Sequence, residues 1–275
     1  MLETYKDDYL IGAVAKMLGM TIPGIKYYEK YGITVNHKQP DSSYRRYSIR
    51  DIVTLTSARA YRNCGFTLPE TADLLTSGDP EDIRESLSAQ RKALQAQINL
   101  QTAICQKMLD MEEMLRTIED RLNRFDVCQS PPMYAFFFSL NGRNTPISEA
   151  HQMRMSSWID AMPLGEICMT LDKNAFPDTG NGRNLGICLE ARHLAFLSPQ
   201  EIEAAVFLPS RRCLHTVIKG HAHHQEISRY VKNIAYAHML EQDMKPTGDP
   251  FGRTLFQYDH INDPVYYEEI FIPID

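Results

Sequence analysis

The sequence lacks the features that mark membrane, secreted and redox-active proteins. No stretch is long and apolar enough to cross a bilayer, and Asp7, Asp8 and Lys16 interrupt the N-terminal residues, so we expect neither a membrane span nor a signal peptide. None of the six cysteines belongs to a CxxC pair, which predicts free thiols in a reducing compartment. We therefore expect a cytoplasmic protein.

Composition limits the fold more than it limits the function. The formal net charge is −6, which argues against a protein that is basic all over but is compatible with a local basic face. An apolar fraction of 43% is sufficient for a packed core. A chain of 275 residues has room for two modest domains beside one extended element.

Glycine and proline are absent from the residues between Pro80 and Phe125, where helix-forming residues dominate. The pattern predicts one helix over Asp79–Phe125, roughly 65 to 70 Å long. Its apolar residues recur in two heptad series, one of Leu87, Leu94, Gln101, Met108, Leu115 and Leu122, the other of Ile104, Met111, Ile118 and Phe125. This is the seam of a two-stranded coiled coil, which predicts a homodimer. A core helix of a large bundle is the alternative.

The residues ahead of this helix predict a winged helix-turn-helix. A short amphipathic helix ends at Gly19, and Thr21 can cap a second helix that runs to Lys30. The aromatic and basic run Tyr44–Tyr47 follows turn residues, as in a β-hairpin wing. A third helix begins after Ser48, and a fourth lies within 64–75.

Cations and hydroxyl groups concentrate on the second helix, the wing and the third helix. Such side chains neutralise or hydrogen-bond the phosphates of a duplex, which predicts double-stranded DNA as a partner. The candidate DNA-binding residues are Thr21, Lys26, Tyr27, Lys30, Lys38, Tyr44, Arg45, Arg46 and Arg62.

Pro131 and Pro132 mark a change of pattern, after which β-rich runs dominate. Two successive segments have the order strand, helix, strand, strand, which predicts a pseudo-twofold α+β domain with a groove between its halves. The expected strands cover 133–140, 167–171 and 185–189 in the first segment and 213–219, 254–258 and 266–274 in the second, with helices over 148–158 and 225–241. The expected fold class is α+β and multidomain. It comprises a winged helix-turn-helix head over 1–78, a coiled-coil dimerisation helix over 79–126 and an α+β domain over 127–275.

The residues Ile11-Gly12, Tyr27-Tyr28-Glu29, Tyr44-Arg45 and Gly65-Phe66, followed directly by a coiled coil, resemble the MerR family of transcription regulators. The resemblance covers about the first 125 residues. It implies an antiparallel coiled-coil dimer that binds a promoter. It also implies activation by distortion of the operator DNA, with RNA polymerase at the same promoter.

The two-fold α+β pattern and the ending Tyr267–Ile274 resemble the GyrI-like effector-binding domain. This resemblance implies multidrug-type sensing, in which aromatic rings around a buried carboxylate hold a lipophilic cation. The candidate ligand-binding residues are Tyr134, Phe136, Trp158, Glu190, Phe256, Tyr258, Tyr267 and Glu268, with Glu166 and Glu269 as further candidate acids. Phe256 stands where the family often has a glutamate, so a neutral aromatic ligand is a second option.

Two other functions fit parts of the sequence. His221-Ala-His223-His224 has the chemistry of a metal site, which would suit a metal-responsive regulator. Some GyrI-like proteins are hydrolases, and Glu190 or Glu268 could act as a general base. No residue pattern marks a nucleophile, so we expect a protein that is not an enzyme and needs no cofactor.

Overall fold

The computed structural model describes residues 8–35, 44–76, 79–144, 148–173, 183–220, 229–259 and 264–275. They belong to two compact units, Met1–Asn99 and Leu100–Asp275, whose boundary falls inside one long helix. Of the helices in these ranges, none has both the length and the apolar character that a membrane span requires.

The N-terminal unit contains short helices and a two-stranded sheet. Its elements in the described residues are β1 (Asp8–Leu10), α1 (Ile11–Leu18), α2 (Ile22–Lys30), β2 (Arg46–Ser48), α3 (Ile49–Asn63) and α4 (Leu68–Thr76). The strands pair antiparallel, with Tyr9 opposite Tyr47. The fully buried side chains of Val14, Ile25 and Leu55 join the helices into one core.

Local capping interactions set the helix ends of this unit. Gly19 ends α1 in the left-handed conformation, at φ 58°. The Thr21 hydroxyl accepts a hydrogen bond from the Gly24 amide and so caps α2. Ser48 and Asp51 form a reciprocal capping box at the start of α3. The predicted helix-turn-helix and wing strand are confirmed in outline.

A single long helix, α5 (Pro80–Arg121), follows the head. The prediction that both heptad series face a second copy of the chain is wrong for one of them. Ile104, Ile118 and Phe125 pack against other residues of the C-terminal unit of their own chain. The physical reason is that the sheet offers an apolar surface to this side of the helix.

The C-terminal unit contains one antiparallel sheet. Its strands are β3 (Asp126–Gln129), β4 (Met133–Leu140), β5 (Arg143–Asn144), β6 (Glu166–Leu171), β7 (Arg183–Glu190), β8 (Val206–Leu208), β9 (Arg212–Gly220), β10 (Phe251–Asp259) and β11 (Pro264–Pro273). Their order is β3-β9-β11-β10-β6-β7-β4-β5, and β8 pairs with β4. The adjacent strands β10 and β6 join two β-α-β-β halves, which confirms the predicted α+β architecture.

Helices cover both faces of this sheet. On one face lie α6 (Glu149–Asp160), with the fully buried Trp158, and α8 (Tyr236–Glu241), which continues a π-helical turn. A short helix, α7 (Pro199–Glu203), lies between β7 and β8 in sequence. On the other face, Ile118 of α5 packs on Val217 and Val265. Because both faces of the sheet are covered, Glu268 and Glu269 are both buried although neighbouring residues of β11 point to opposite faces.

Candidate functional site

The exposed face of α2 carries the side chains best placed for a phosphate backbone. Lys26, Tyr27 and Lys30 are exposed, and the rings of Tyr27 and Tyr31 pack edge to face with their centroids 5.1 Å apart. Tyr44, at the start of the wing strand region, is also exposed. Thr21 caps the same helix, and Lys38 lies outside the described residues.

Two of the three candidate arginines of the head, Arg45 and Arg62, are engaged within the head itself. Arg45 Nε lies 3.2 Å from a carboxylate oxygen of Glu29, which also accepts a 2.6 Å hydrogen bond from the Tyr47 hydroxyl. Arg62 donates to the carbonyl of Phe66. Arg46 is half-buried on β2, and its buried Nε has no hydrogen-bond partner among the described residues. Arg45 and Arg62 therefore hold the wing and the α3–α4 turn in place.

A buried ionic cluster lies near the middle of the sheet, around Arg253 of β10. Its guanidinium binds Glu269 at 2.7 Å, Glu166 at 2.9 Å and Glu190 at 2.7 Å. The three carboxylates lie on the strands β11, β6 and β7, and Arg253 is only 13% exposed. Lys107 of α5 forms a second ion pair with Glu166, and Arg192 lies 2.8 Å from Glu190.

The cluster keeps its carboxylates charged although they are buried. Burial raises the pKa of Glu269, but the hydrogen bond from His215 and the positive charge of Arg253 together lower it to about 2. Burial likewise raises the pKa of Glu190, and the contacts with Arg253 bring it below its usual value. Basic side chains already neutralise Glu166, Glu190 and Glu269, so a cationic ligand at these acids would have to compete with them, and their role as the pocket carboxylate stays a prediction.

The predicted aromatic residues fall into two separate groups. Phe136 and Trp158 stack at 6.2 Å in the core beneath α6, and the Trp158 indole donates to Glu201 at 3.0 Å. Tyr134 belongs to the same cluster, and Glu268 is buried on β11. Phe136 and Trp158 are thus part of the buried core, and a role of this group in ligand binding stays a prediction.

The second aromatic group lies beside α5. The ring centroid of Phe256 is 5.9 Å from that of Tyr258 and 6.3 Å from that of Tyr267. The Tyr267 hydroxyl donates to Glu119 of α5 at 2.6 Å. Lys219 Nζ lies 5.1 Å from the Tyr267 ring centroid and 3.5 Å from the Glu119 carboxylate. This group, Glu119, Lys219, Phe256, Tyr258 and Tyr267, is called the aromatic platform below.

Comparison with known proteins identifies the head. A family model described as MerR HTH family regulatory protein matches residues 9–78. The head is a MerR-type helix-turn-helix domain. The mercuric resistance operon regulatory protein of Serratia marcescens is 25% identical over 145 residues, which are 53% of this chain and 96% of that protein. The transcriptional activator TipA of Streptomyces coelicolor is 36% identical over 92 residues, 33% of this chain and 36% of TipA.

A solved structure of an EcmrR–DNA complex aligns with 97% of this chain and 99% of that chain, at 16% identity and a TM-score of 0.38. The MerR-type domain and its regulatory relatives make this protein a helix-turn-helix transcription regulator, which confirms the prediction for the head. In this MerR-type head, α2 is the recognition helix of the motif. The GyrI-like character of the C-terminal unit stays a prediction.

The sequence pattern does not single out several important residues of the C-terminal unit. It predicts a strand that begins at Thr254 and so leaves Arg253 outside it, whereas β10 begins at Phe251. Alternation along the full strand places Arg253 on the face of Phe251, which would have indicated an inward charge. No local signal joins Glu119 with Lys219, because the two residues are far apart in sequence.

Proposed function

We propose that this MerR-type regulator responds to an aromatic, positively charged small molecule that binds the aromatic platform. The observation that carries this proposal is the position of Lys219. Its ammonium group lies over the face of Tyr267 and beside the carboxylate of Glu119. A ring face together with a carboxylate is the arrangement that holds an organic cation. The protein's own lysine thus occupies a place where a ligand cation would bind.

Displacement of Lys219 by a ligand is energetically feasible. Its side chain is 34% exposed and its partner Glu119 is 65% exposed, so solvent screens the existing ion pair and little stability is lost when it breaks. When Lys219 leaves this position, water can hydrate its ammonium group. The ligand gains the Tyr267 ring, and Phe256 and Tyr258 extend the apolar surface beside it.

Glu119 connects this platform to the long helix. It lies on α5 and accepts the Tyr267 hydrogen bond as well as the contact with Lys219. A ligand that replaces Lys219 changes the contacts between α5 and the sheet within the C-terminal unit. Packing of α5 on the sheet with Lys219 in place and packing with Lys219 displaced are two arrangements in equilibrium. A ligand shifts this equilibrium only by the difference between its affinities for the two arrangements.

The remainder of the proposal concerns the response at the promoter. Two copies pair through the exposed series on α5, and each head binds duplex DNA through α2. The effector alters the arrangement of the two heads and thereby distorts the operator so that RNA polymerase can use the promoter. The MerR-type domain supports the DNA-binding part of this mechanism.

Calorimetric titration with tetraphenylphosphonium tests the effector site, with triphenylphosphine oxide as the neutral comparison. We expect the phosphonium to bind and the oxide to bind at least about tenfold more weakly. Glu119→Gln should lower the phosphonium affinity about 5- to 10-fold. Lys219→Gln should raise it roughly fivefold, because the competing cation is gone.

Glu113→Gln is the matched control, because Glu113 is an exposed glutamate on another side of the same helix. It should leave the affinity unchanged. Equal affinities for the cation and the neutral compound would contradict the proposed ligand class. A Lys219→Gln variant that binds more weakly than the wild type would contradict the displacement of Lys219.

A further inference from the structure

The first strand of the C-terminal unit brings three metal-binding side chains together. Asp126 and Cys128 are two residues apart on β3, so their side chains point to the same face. His215 of β9 is the register partner of Asp126. A carboxylate oxygen of Asp126, the Cys128 sulfur and a ring nitrogen of His215 all lie within 4.8 Å of one another.

The hydrogen bonds of His215 orient its ring toward this position. Nε2 lies 2.9 Å from Glu269, whose negative charge is fixed by Arg253 at 2.7 Å, so Nε2 carries a hydrogen and donates it. Nδ1 then faces the Asp126 carboxylate at 2.8 Å. Two acceptors at this distance require a cation between them, either a proton or a metal ion. A carboxylate behind a metal-binding imidazole is the usual supporting contact of such sites.

We infer that Asp126, Cys128 and His215 form a binding site for Zn²⁺ or a divalent cation of similar chemistry. Thiolate, imidazole and carboxylate together match the ligand preference of Zn²⁺, whereas Mg²⁺ and Ca²⁺ prefer oxygen ligands alone. Three protein ligands leave a fourth tetrahedral position for water or another donor. The inference rests on these contacts and does not depend on the effector proposed above.

The geometry is compatible with a small closing movement of the ligands. Zinc bonds of about 2.0 to 2.3 Å place neighbouring ligand atoms roughly 3.3 to 3.8 Å apart in a tetrahedral site. The Asp126 side chain is 61% exposed, so it can rotate toward the ion and also leaves a path from solvent. His215 is 8% exposed and is held by β9 and Glu269. Binding releases the thiol proton of Cys128 and the proton on Nδ1 to solvent.

The position of the site links it to the long helix. The helix α5 ends at Arg121, and β3 begins at Asp126. Arg121 lies 3.6 Å from the same Glu269 carboxylate that supports His215. A bound ion would therefore fasten the segment that leaves α5 to the strand β9.

A Co²⁺ titration of the untagged, reduced and metal-free full chain tests this inference. We expect one Co²⁺ per chain, with the absorption of a tetrahedral ion and a sulfur-to-cobalt charge-transfer band that Zn²⁺ removes. Cys128→Ser should abolish the charge-transfer band, and Asp126→Asn should weaken binding. Glu269→Gln should lower the affinity about 10- to 100-fold, since it removes the contact that orients His215.

Two control variants separate this site from other donors of the chain. Cys105→Ser removes an exposed cysteine of α5, and a triple alanine variant removes His221, His223 and His224. Both controls should keep the full stoichiometry and the charge-transfer band. Zn²⁺ should also raise the Tm of the wild type and of both controls but not that of Cys128→Ser. The Tm of metal-free Cys128→Ser should equal that of the metal-free wild type, which tests whether the variant is folded. A band that persists in Cys128→Ser, or the absence of binding to the wild type, would overturn the inference.

Discussion

At the residue scale, Arg253 holds together the carboxylates of three strands. It is 13% exposed and contacts Glu166, Glu190 and Glu269 within 3 Å. A buried carboxylate without a partner is costly, whereas a complete ion cluster can be close to neutral in energy. Arg253 therefore matters because its loss would leave several buried charges without their partner.

We expect Arg253→Met to destabilise the protein by about 3 to 5 kcal/mol, which is the usual cost of breaking a buried ion pair from one side. Urea unfolding followed by circular dichroism measures the change. Arg192→Met is the matched control, because Arg192 is 54% exposed and contacts Oε2 of Glu190, whereas Arg253 contacts Oε1. The control should change the free energy of unfolding by less than about 1 kcal/mol. If Arg253→Met and Arg192→Met lowered the free energy of unfolding by the same amount, burial would not explain the role of Arg253.

The same cluster predicts how stability depends on pH. The pKa of Glu190 is lower in the folded protein than its usual value of 4.5, so its contribution to stability is present above that pH. This contribution is lost as the pH falls through the lowered pKa. Urea unfolding from pH 6 to pH 3 should show a smaller acid-induced loss of stability for Glu190→Gln than for the wild type. Glu203→Gln, at an exposed position of α7, should follow the wild-type profile.

At the element scale, α5 has two apolar sides with different partners. Ile104 and Ile118 pack inside the C-terminal unit, as does Leu122, whereas four apolar members of the other heptad series remain exposed. Leu87, Leu94, Met108 and Leu115 are 40%, 39%, 55% and 41% exposed. Four large apolar side chains at heptad spacing on one helix are typical of a surface that pairs with another helix.

We expect the double variant Leu94→Gln with Leu115→Gln to shift the protein from dimer to monomer at micromolar concentration. Sedimentation equilibrium measures the shift, and a weakening of the dimer by at least about tenfold follows from the loss of buried apolar surface. Gln95→Glu with Gln106→Glu changes two exposed positions outside both apolar series and should leave the dimer intact. A wild-type protein that sediments as a single chain would contradict the proposed dimer.

At the scale of the whole molecule, a net charge of −6 coexists with a DNA-binding head. The two facts agree because nucleic-acid binding depends on where the cations lie and not on their sum. Lys26 and Lys30 are exposed on α2, while Arg45 and Arg62 are bound within the head. The lysines are therefore the better candidates for phosphate contacts.

We expect Lys26→Gln and Lys30→Gln to weaken DNA binding and to reduce its salt dependence. Each phosphate contact that is lost should lower the slope of log K against log[salt] by about 0.9, and a dimer loses two contacts for each substitution. Fluorescence anisotropy of a labelled duplex over a range of salt concentrations measures the slope. Lys173→Gln, at an exposed position of the C-terminal unit, should leave the slope unchanged.

Strand positions in the C-terminal unit were predictable to within a few residues. The expected strand over 133–140 coincides with β4, and the expected strands over 213–219 and 266–274 overlap β9 and β11. Period-two alternation and turn residues carry this information locally. The role of each aromatic residue was not predictable, because long-range packing decides that Trp158 is fully buried while Tyr258 is 41% exposed.

The helix-turn-helix head is specified locally, because caps and turns such as Gly19, Thr21 and the Ser48–Asp51 box act between residues at most a few positions apart. The sequence also predicts a single long helix, although α5 ends at Arg121, four residues before the predicted end at Phe125. Long-range contacts determine which side of α5 packs on the sheet and which base neutralises Glu166 and Glu190. Those contacts join residues 87 and 63 positions apart, and strand order alone brings such distant residues together.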